Sequence, residues 1–146
     1  MYGPWVLTHT LDELQQYYLQ VIDKSGPEAG VITIRELSED RLVGTTLFDD
    51  SHLRPGAVIS GPSLFTVVDS MGFLVTVAHS PKGSNGFTSA LTMQFLRPAA
   101  VGELRAEARL LIYGKKSCVT DVTIFGAYQA HPVAQAVVTY VPVLPK

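Results

Sequence analysis

The stretch Ser60-Gly-Pro-Ser-Leu-Phe-Thr-Val-Val-Asp69-Ser-Met-Gly-Phe-Leu-Val-Thr-Val-Ala-His79 decides the fold. From Leu64 to Ala78 it is the longest apolar run in the chain, yet it carries a carboxylate, Asp69, near its middle. Ser60, Gly61 and Pro62 form a helix start signal: a small capping residue, then proline in the first turn, where its missing N–H does no harm. The β-branched residues Thr66, Val67, Val68, Val75, Thr76 and Val77 argue for a strand. The run is nevertheless too long for one ordinary strand and lacks strict alternation. A helix over Leu64 to His79 is therefore predicted. Being apolar on nearly every side, it must be enclosed by the rest of the chain. It is short for a bilayer, and a carboxylate near its centre argues against a membrane span. It reads as the buried helix of a soluble protein.

What encloses it lies on both sides in sequence. After a Gly-, Ser- and Asn-rich loop (Pro81 to Gly86) come four strand-like segments, Phe87 to Leu96, Glu103 to Tyr113, Ser117 to Phe125 and Val133 to Val143. The second alternates, with Leu104, Ala106, Ala108, Leu110 and Ile112 on one face and Arg105, Glu107 and Arg109 on the other. The link Gly114-Lys115-Lys116 implies a hairpin, and the short connections imply an antiparallel meander. Upstream, Val31 to Leu37 and Arg41 to Phe48 read as strands around a Ser38-Glu39-Asp40 turn. A polar loop follows, Asp49 to Gly56, with Arg54-Pro55-Gly56 as a breaker. Leu11 to Lys24 reads as a helix with Thr10 as its cap, an apolar stripe of Leu11, Leu14, Tyr18, Val21 and Ile22, and Gly26-Pro27 as its stop. A sheet with one apolar face must cover it. The expected fold class is α+β, a curved antiparallel sheet wrapped around one long central helix, with an extra N-terminal helix.

Composition narrows the function. The chain has 146 residues, enough for one domain with one sizeable core. Charged residues make up only 16%, and the net charge of −2 gives no reason to expect nucleic acid or a polybasic membrane anchor. Cys118 is the single cysteine, which excludes an internal disulfide and fits a reducing compartment, so a cytoplasmic location is expected. His9, His52, His79 and His131 are scattered without metal-ligand spacing, so no metal is expected. Met1 to Thr10 lacks the basic-then-apolar pattern of a signal peptide.

Two features could carry chemistry. A carboxylate within an enclosed helix is costly unless paired, solvated or used. Asp69 is thus either a satisfied structural group at a subunit contact or a general base or nucleophile. The N–H groups at the helix start near Gly61 lack helical partners and sit at the positive end of the dipole. A glycine there admits a substrate carbonyl, so the position is either an ordinary cap or an oxyanion site. Eight positions separate Gly61 from Asp69, roughly 12 Å along a helix at about 1.5 Å per residue. Both can act on one carbonyl only if they come from two chains with antiparallel helices. A homodimer with two shared sites is expected.

Arg54-Pro-Gly-Ala-Val-Ile-Ser-Gly-Pro, then Asp69, then Phe95-Leu-Arg-Pro-Ala and Tyr113-Gly-Lys-Lys, resembles the hotdog-fold acyl-CoA thioesterases of the phenylacetyl-CoA thioesterase type. The resemblance covers roughly Val31 to the C-terminus. Residues 1–146 then form a single domain, with 1–29 as an N-terminal extension carrying a helix. The resemblance implies that the Gly61 amide polarises the thioester carbonyl and that Asp69 activates water or attacks directly. It implies help from Thr88, with Ser89 as the lesser choice. The Gly114, Lys115 and Lys116 turn would lie near the CoA phosphates, and Arg97 would contact the nucleotide. A solvated hairpin is the plain alternative for the lysines. The family's His is Ser60 here, its second Gly is Pro62, and its Asn position falls near Arg54. The Ser60 hydroxyl is a candidate for part of that missing role, or it is only the N-cap.

Hydrolysis of an acyl-CoA thioester is the leading function, with no cofactor, no nucleic acid and no membrane involved. Homodimers, assembled as a dimer of dimers, are the expected form. The acyl chain would lie between two central helices, with Phe65, Met71 and Phe73 as candidates to shape its pocket and core packing as their default role. A non-catalytic acyl-CoA binding protein is the alternative. A hotdog hydratase ranks lower, because no histidine precedes His79 on the central helix.

Overall fold

A computed structural model describes residues 6–23, 30–48, 53–80 and 85–142. The apolar run forms the longest helix among them, α2 (Gly61–Ala78). Its start follows the sequence signal. Ser60 is the N-cap with φ −68° and ψ 151°, the Ser63 N–H donates to its Oγ at 3.3 Å, and Pro62 sits in the first turn. By length and composition α2 could cross a membrane, but most of its residues are buried inside the fold. The N-terminal helix α1 (Leu11–Asp23) opens with a reciprocal cap: Thr10 N–H donates to Glu13 Oε1 at 2.9 Å, and Glu13 N–H donates to Thr10 Oγ1 at 3.1 Å. Those bonds hold the Glu13 carboxyl below its usual range. The expected stop at Gly26-Pro27 lies outside the described residues.

The strands are β1 (Thr33–Leu37), β2 (Arg41–Thr46), β3 (Leu53–Arg54), β4 (Val58–Ile59), β5 (Phe87–Phe95), β6 (Leu104–Tyr113), β7 (Cys118–Phe125) and β8 (Pro132–Val141). Six form an antiparallel sheet in the order β1-β2-β6-β7-β8-β5, and α2 packs on the inner face of β6, β7 and β8. The expected meander holds only for β6, β7 and β8. β2 takes the place beside β6, and the link after β5 carries the chain across the sheet end, so β5 pairs β8 and becomes an edge strand. A two-residue ladder, β3 with β4, occupies part of the region expected as loop; His52 and its neighbours 49–51 lie outside the described residues.

Inward alternation in β6 is as expected from Leu104 to Leu110, all buried. It fails at Ile112, which is exposed, because a bulge between Leu110 and Ile112 shifts the register by one. On the outer face Arg41 pairs with both Glu36 and Glu107. Cys118 is fully buried, and burial pushes its thiol up.

α2 lies close to the sheet at Gly72, where a Cβ would sit 2.6 Å from Val138 Cγ1 and 3.1 Å from its Cβ. Val138 is stiff at χ1 and fully buried, so it cannot yield. Gly72→Ala gains about 1 kcal/mol of helix propensity, but overpacking costs about 1–3 kcal/mol. The expected result is a lowered melting temperature, with recovery in Gly72→Ala/Val138→Ala; a melting temperature above wild type for the single variant would refute the close approach.

Candidate active site

α2 is not enclosed all round. The stripe Pro62, Phe65, Thr66 and Asp69 is exposed, with Gly61 and Phe73 half-buried beside it. This corrects the expectation of an Asp69 surrounded by apolar groups within its own chain. The open stripe runs beside β5, whose outer edge pairs with no strand among the described residues. Phe65 (45% exposed), Phe87 (57%) and Phe95 (55%) stand on or next to this surface. Among the described residues, three exposed phenylalanines and an unpaired strand edge thus lie on one side of the molecule.

Asp69 is held from its own chain. The Thr88 hydroxyl on β5 donates to Asp69 Oδ1 at 2.6 Å. A bulge between Thr88 and Ala90 turns the neighbouring Ser89 elsewhere, and its hydroxyl donates to Thr139 O at 3.3 Å. Asp69 and Thr88 border a cavity of about 310 Å³ whose other walls include Tyr18, Ile22, Phe73 and Tyr140. One wall therefore comes from α1. Burial raises the Tyr18 phenol, which accepts the Ile32 N–H at 3.1 Å. Of the three residues expected to shape an acyl pocket, Phe73 lines this cavity and Phe65 lies on the open stripe. Met71 takes its default role instead, fully buried in the core, because it faces inward from α2.

Gly61 lies at the other end of the stripe. Its N–H has no hydrogen-bond acceptor among the described residues. It borders a second cavity of about 590 Å³, lined also by Arg54, Leu64, Phe95 and Arg97, which shares no wall residue with the first. Within one chain the amide and the carboxylate thus serve separate cavities. Ser60 Oγ is engaged by Ser63, through its N–H and a 2.8 Å hydroxyl contact, which is the work of a cap. Arg97 is exposed, and its Nη1 donates to Pro132 O at 2.7 Å.

Gly114, Lys115 and Lys116 form a tight turn, closed by Gly114 N–H to Ser117 O at 2.8 Å, with both lysines exposed. Register carries the turn across the sheet: Tyr113 faces Cys118, Cys118 faces Tyr140, and Tyr140 faces Thr88. The lysines are therefore at the Thr88 end of the sheet and Arg97 at the other, so one chain does not bring them together. His79 is structural. It is buried, with its ring nitrogens 2.9 Å and 2.7 Å from the carbonyl oxygens of Val75 and Glu39. Among the described residues no cluster of His, Cys, Asp and Glu could hold a metal ion.

A curved antiparallel sheet of six strands around a central helix is the hotdog fold of thioesterases. A family model described as the thioesterase superfamily matches residues 56–128, from the turn before α2 into the β7–β8 link. The chain belongs to this superfamily, and thioester hydrolysis is the chemistry that membership supports. A crystal structure from Silicibacter sp. TM1040, provisionally named a thioesterase, is similar at 28% identity over 96% of each chain, with a TM-score of 0.84. A Streptococcus mutans protein solved with acetyl CoA shares the fold at 22% identity, covering 77% of this chain and 88% of that one, with a TM-score of 0.67. A Saccharolobus solfataricus protein provisionally named an esterase is 30% identical over 78 residues, 53% of this chain; the match spans about half of that relative's length (51%).

Proposed function

We propose that the protein hydrolyses an acyl-CoA thioester to a free acid and coenzyme A, in sites completed by two chains. The observation that carries this reading is the Asp69 carboxylate, exposed on the open stripe of α2 and held by Thr88 beside the free edge of β5, where we place a second copy. Two copies joined antiparallel along β5 bring the Phe95 end of one chain to the Phe87 end of the other. Gly61 is at the Phe95 end of its own chain, since a Cβ built on it would lie 3.5 Å from the Phe95 ring. The Gly61 amide then faces the partner's carboxylate.

The chemistry follows from that juxtaposition. Asp69 takes a proton from water as the water oxygen adds to the thioester carbonyl carbon. The negative oxygen that results is stabilised by the Gly61 N–H and the positive end of α2. Collapse breaks the C–S bond, and the CoA sulfur leaves with the proton Asp69 took up. We assign the acyl group to the cavity beside Asp69, walled in part by Val21, Ile22, Phe73 and Phe87, and the nucleotide to the larger cavity bearing Arg54 and Arg97, since the guanidinium fork matches phosphate. Acetyl CoA bound to the Streptococcus mutans protein of the same fold supports this ligand class.

The test is a panel of acyl-CoAs with free thiol as the readout. Release of thiol from at least one member is expected. Arg54 and Ser60, which stand where the resembling family has Asn and His, favour a second reading, an acyl-CoA binder; saturable binding without thiol release would select it. Within the hydrolase reading Thr88→Val is expected to lower kcat about 10-fold to 100-fold. It removes one hydrogen bond to a charged group, worth about 1.5–3 kcal/mol. Unchanged kcat would remove Thr88 from the site.

A further inference from the structure

We propose that Gln129, in the β7–β8 link, is a positioning residue for the Gly61 amide. The link between β5 and β6 passes beside it. The Gln129 Nε2 donates to Pro98 O at 3.3 Å, and its Oε1 accepts the Ala100 N–H at 3.2 Å. One side-chain amide thus grips the backbone on both sides of Ala99, as a neighbouring strand would. Ala99 is fully buried, and its carbonyl accepts the Ile59 N–H at 3.0 Å; Ala100 pairs with Val58 as an antiparallel bridge. Val58 and Ile59 are β4, the last residues before the Ser60 cap and Gly61. Gln129 therefore fixes residues 98–100, these fix β4, and β4 sets where the chain enters α2.

The turn that carries Gln129 gives up stability for this placement. Gln129 N–H donates to Gly126 O at 3.2 Å, and between them Tyr128 adopts φ 58°, a left-handed conformation costly for a bulky residue. Its side chain is fully exposed, so no packing offsets that cost. Gly126 leaves room for the amide, since a Cβ there would lie 1.8 Å from Gln129 Oε1 and 2.8 Å from its Cδ. Gly126→Ala should thus displace the same amide as Gln129→Ala without touching its chemistry.

The consequence for catalysis rests on the hydrolase reading; the structural part does not. Both variants and wild type are to be compared by amide hydrogen exchange, ¹⁵N spectra and steady-state thiol release. In each variant the Ile59 amide is expected to exchange at least about tenfold faster and the Gly61 resonance to move, with Ala106 and Val122 still protected. Because misplacing a catalytic group costs rate more than binding, kcat should fall about tenfold with KM within about twofold. Unchanged Ile59 and Gly61 signals in both variants would overturn the proposal. So would an equal loss of protection across β6 and β7, which would mean general destabilisation, or unaltered kcat despite altered amides. Should the wild type itself release no thiol, the hydrolase reading fails alone, and the amide signals still decide the role of Gln129.

Discussion

Asp69→Asn is expected to lower kcat for thiol release by about 10²–10⁴, the usual contribution of a positioned general base. The substitution is a narrow one. Asn keeps the shape, and its Oδ1 can still accept from the Thr88 hydroxyl, now 2.6 Å from the Asp69 carboxylate. It cannot take a proton from water. Asp69 is exposed in its own chain and makes no ion pair among the described residues, so the change removes no buried charge partner. Stability should therefore stay within about 0.5 kcal/mol of wild type. KM should change little, because the carboxylate acts on water rather than on the thioester. Steady-state thiol release, a melting curve and light scattering check the three parts. Equal kcat in the two proteins would remove Asp69 from the chemistry, whatever its contacts.

Local signals were legible along the chain. Ser60 and Pro62 mark the start of α2, Thr10 marks that of α1, and alternation marks the buried face of β6 as far as Leu110. These are contacts between residues a few positions apart, so composition and spacing carry them. Thr88 was reached by position in a resemblance, and the bulge after it explains why Ser89 faces away. The misses are long-range. Nothing near β5 says that β2 will occupy the place beside β6 and send β5 to the sheet edge. A bulge such as that before Ile112 depends on the partner strand as much as on its own residues. Asp69 was expected amid apolar side chains because an interior face and a face meant for another chain share one composition. Phe65 on the open stripe and Met71 in the core are alike in sequence and opposite in placement. Gln129, in a loop and without a motif, gave no signal at all; its role is visible only in the two backbone groups it touches.

Mixing two inactive proteins is expected to restore activity. Gly61→Pro deletes the amide proposed to hold the oxyanion, a loss of about 10²–10³ in kcat. Proline is suited to this site. The first helical position favours it, and the Ser60 backbone, at φ −68° and ψ 151°, already has the conformation required before proline. Apart from its chain neighbours, the nearest atoms to a Cβ there are the Phe95 ring at 3.5 Å, ordinary contact, and Pro62, which follows, adds some crowding that a melting curve of the variant would register. Asp69→Asn deletes the base. Each homodimer then lacks one group in both sites. In a heterodimer, the chain with Asp69→Asn supplies an intact Gly61 amide, and the chain with Gly61→Pro supplies an intact Asp69. One shared site is therefore whole, and the other lacks both groups. Random pairing makes half the dimers mixed, so co-expression at equal levels should recover about a quarter of wild-type kcat per chain. That fraction separates the geometries. A site built within one chain gives no recovery at any mixing ratio, since no chain in the mixture carries both groups. Purifying the heterodimer on two tags should raise the recovered activity to about half, one working site in two. A heterodimer as inactive as its parents would place Gly61 and Asp69 in different reactions or in none.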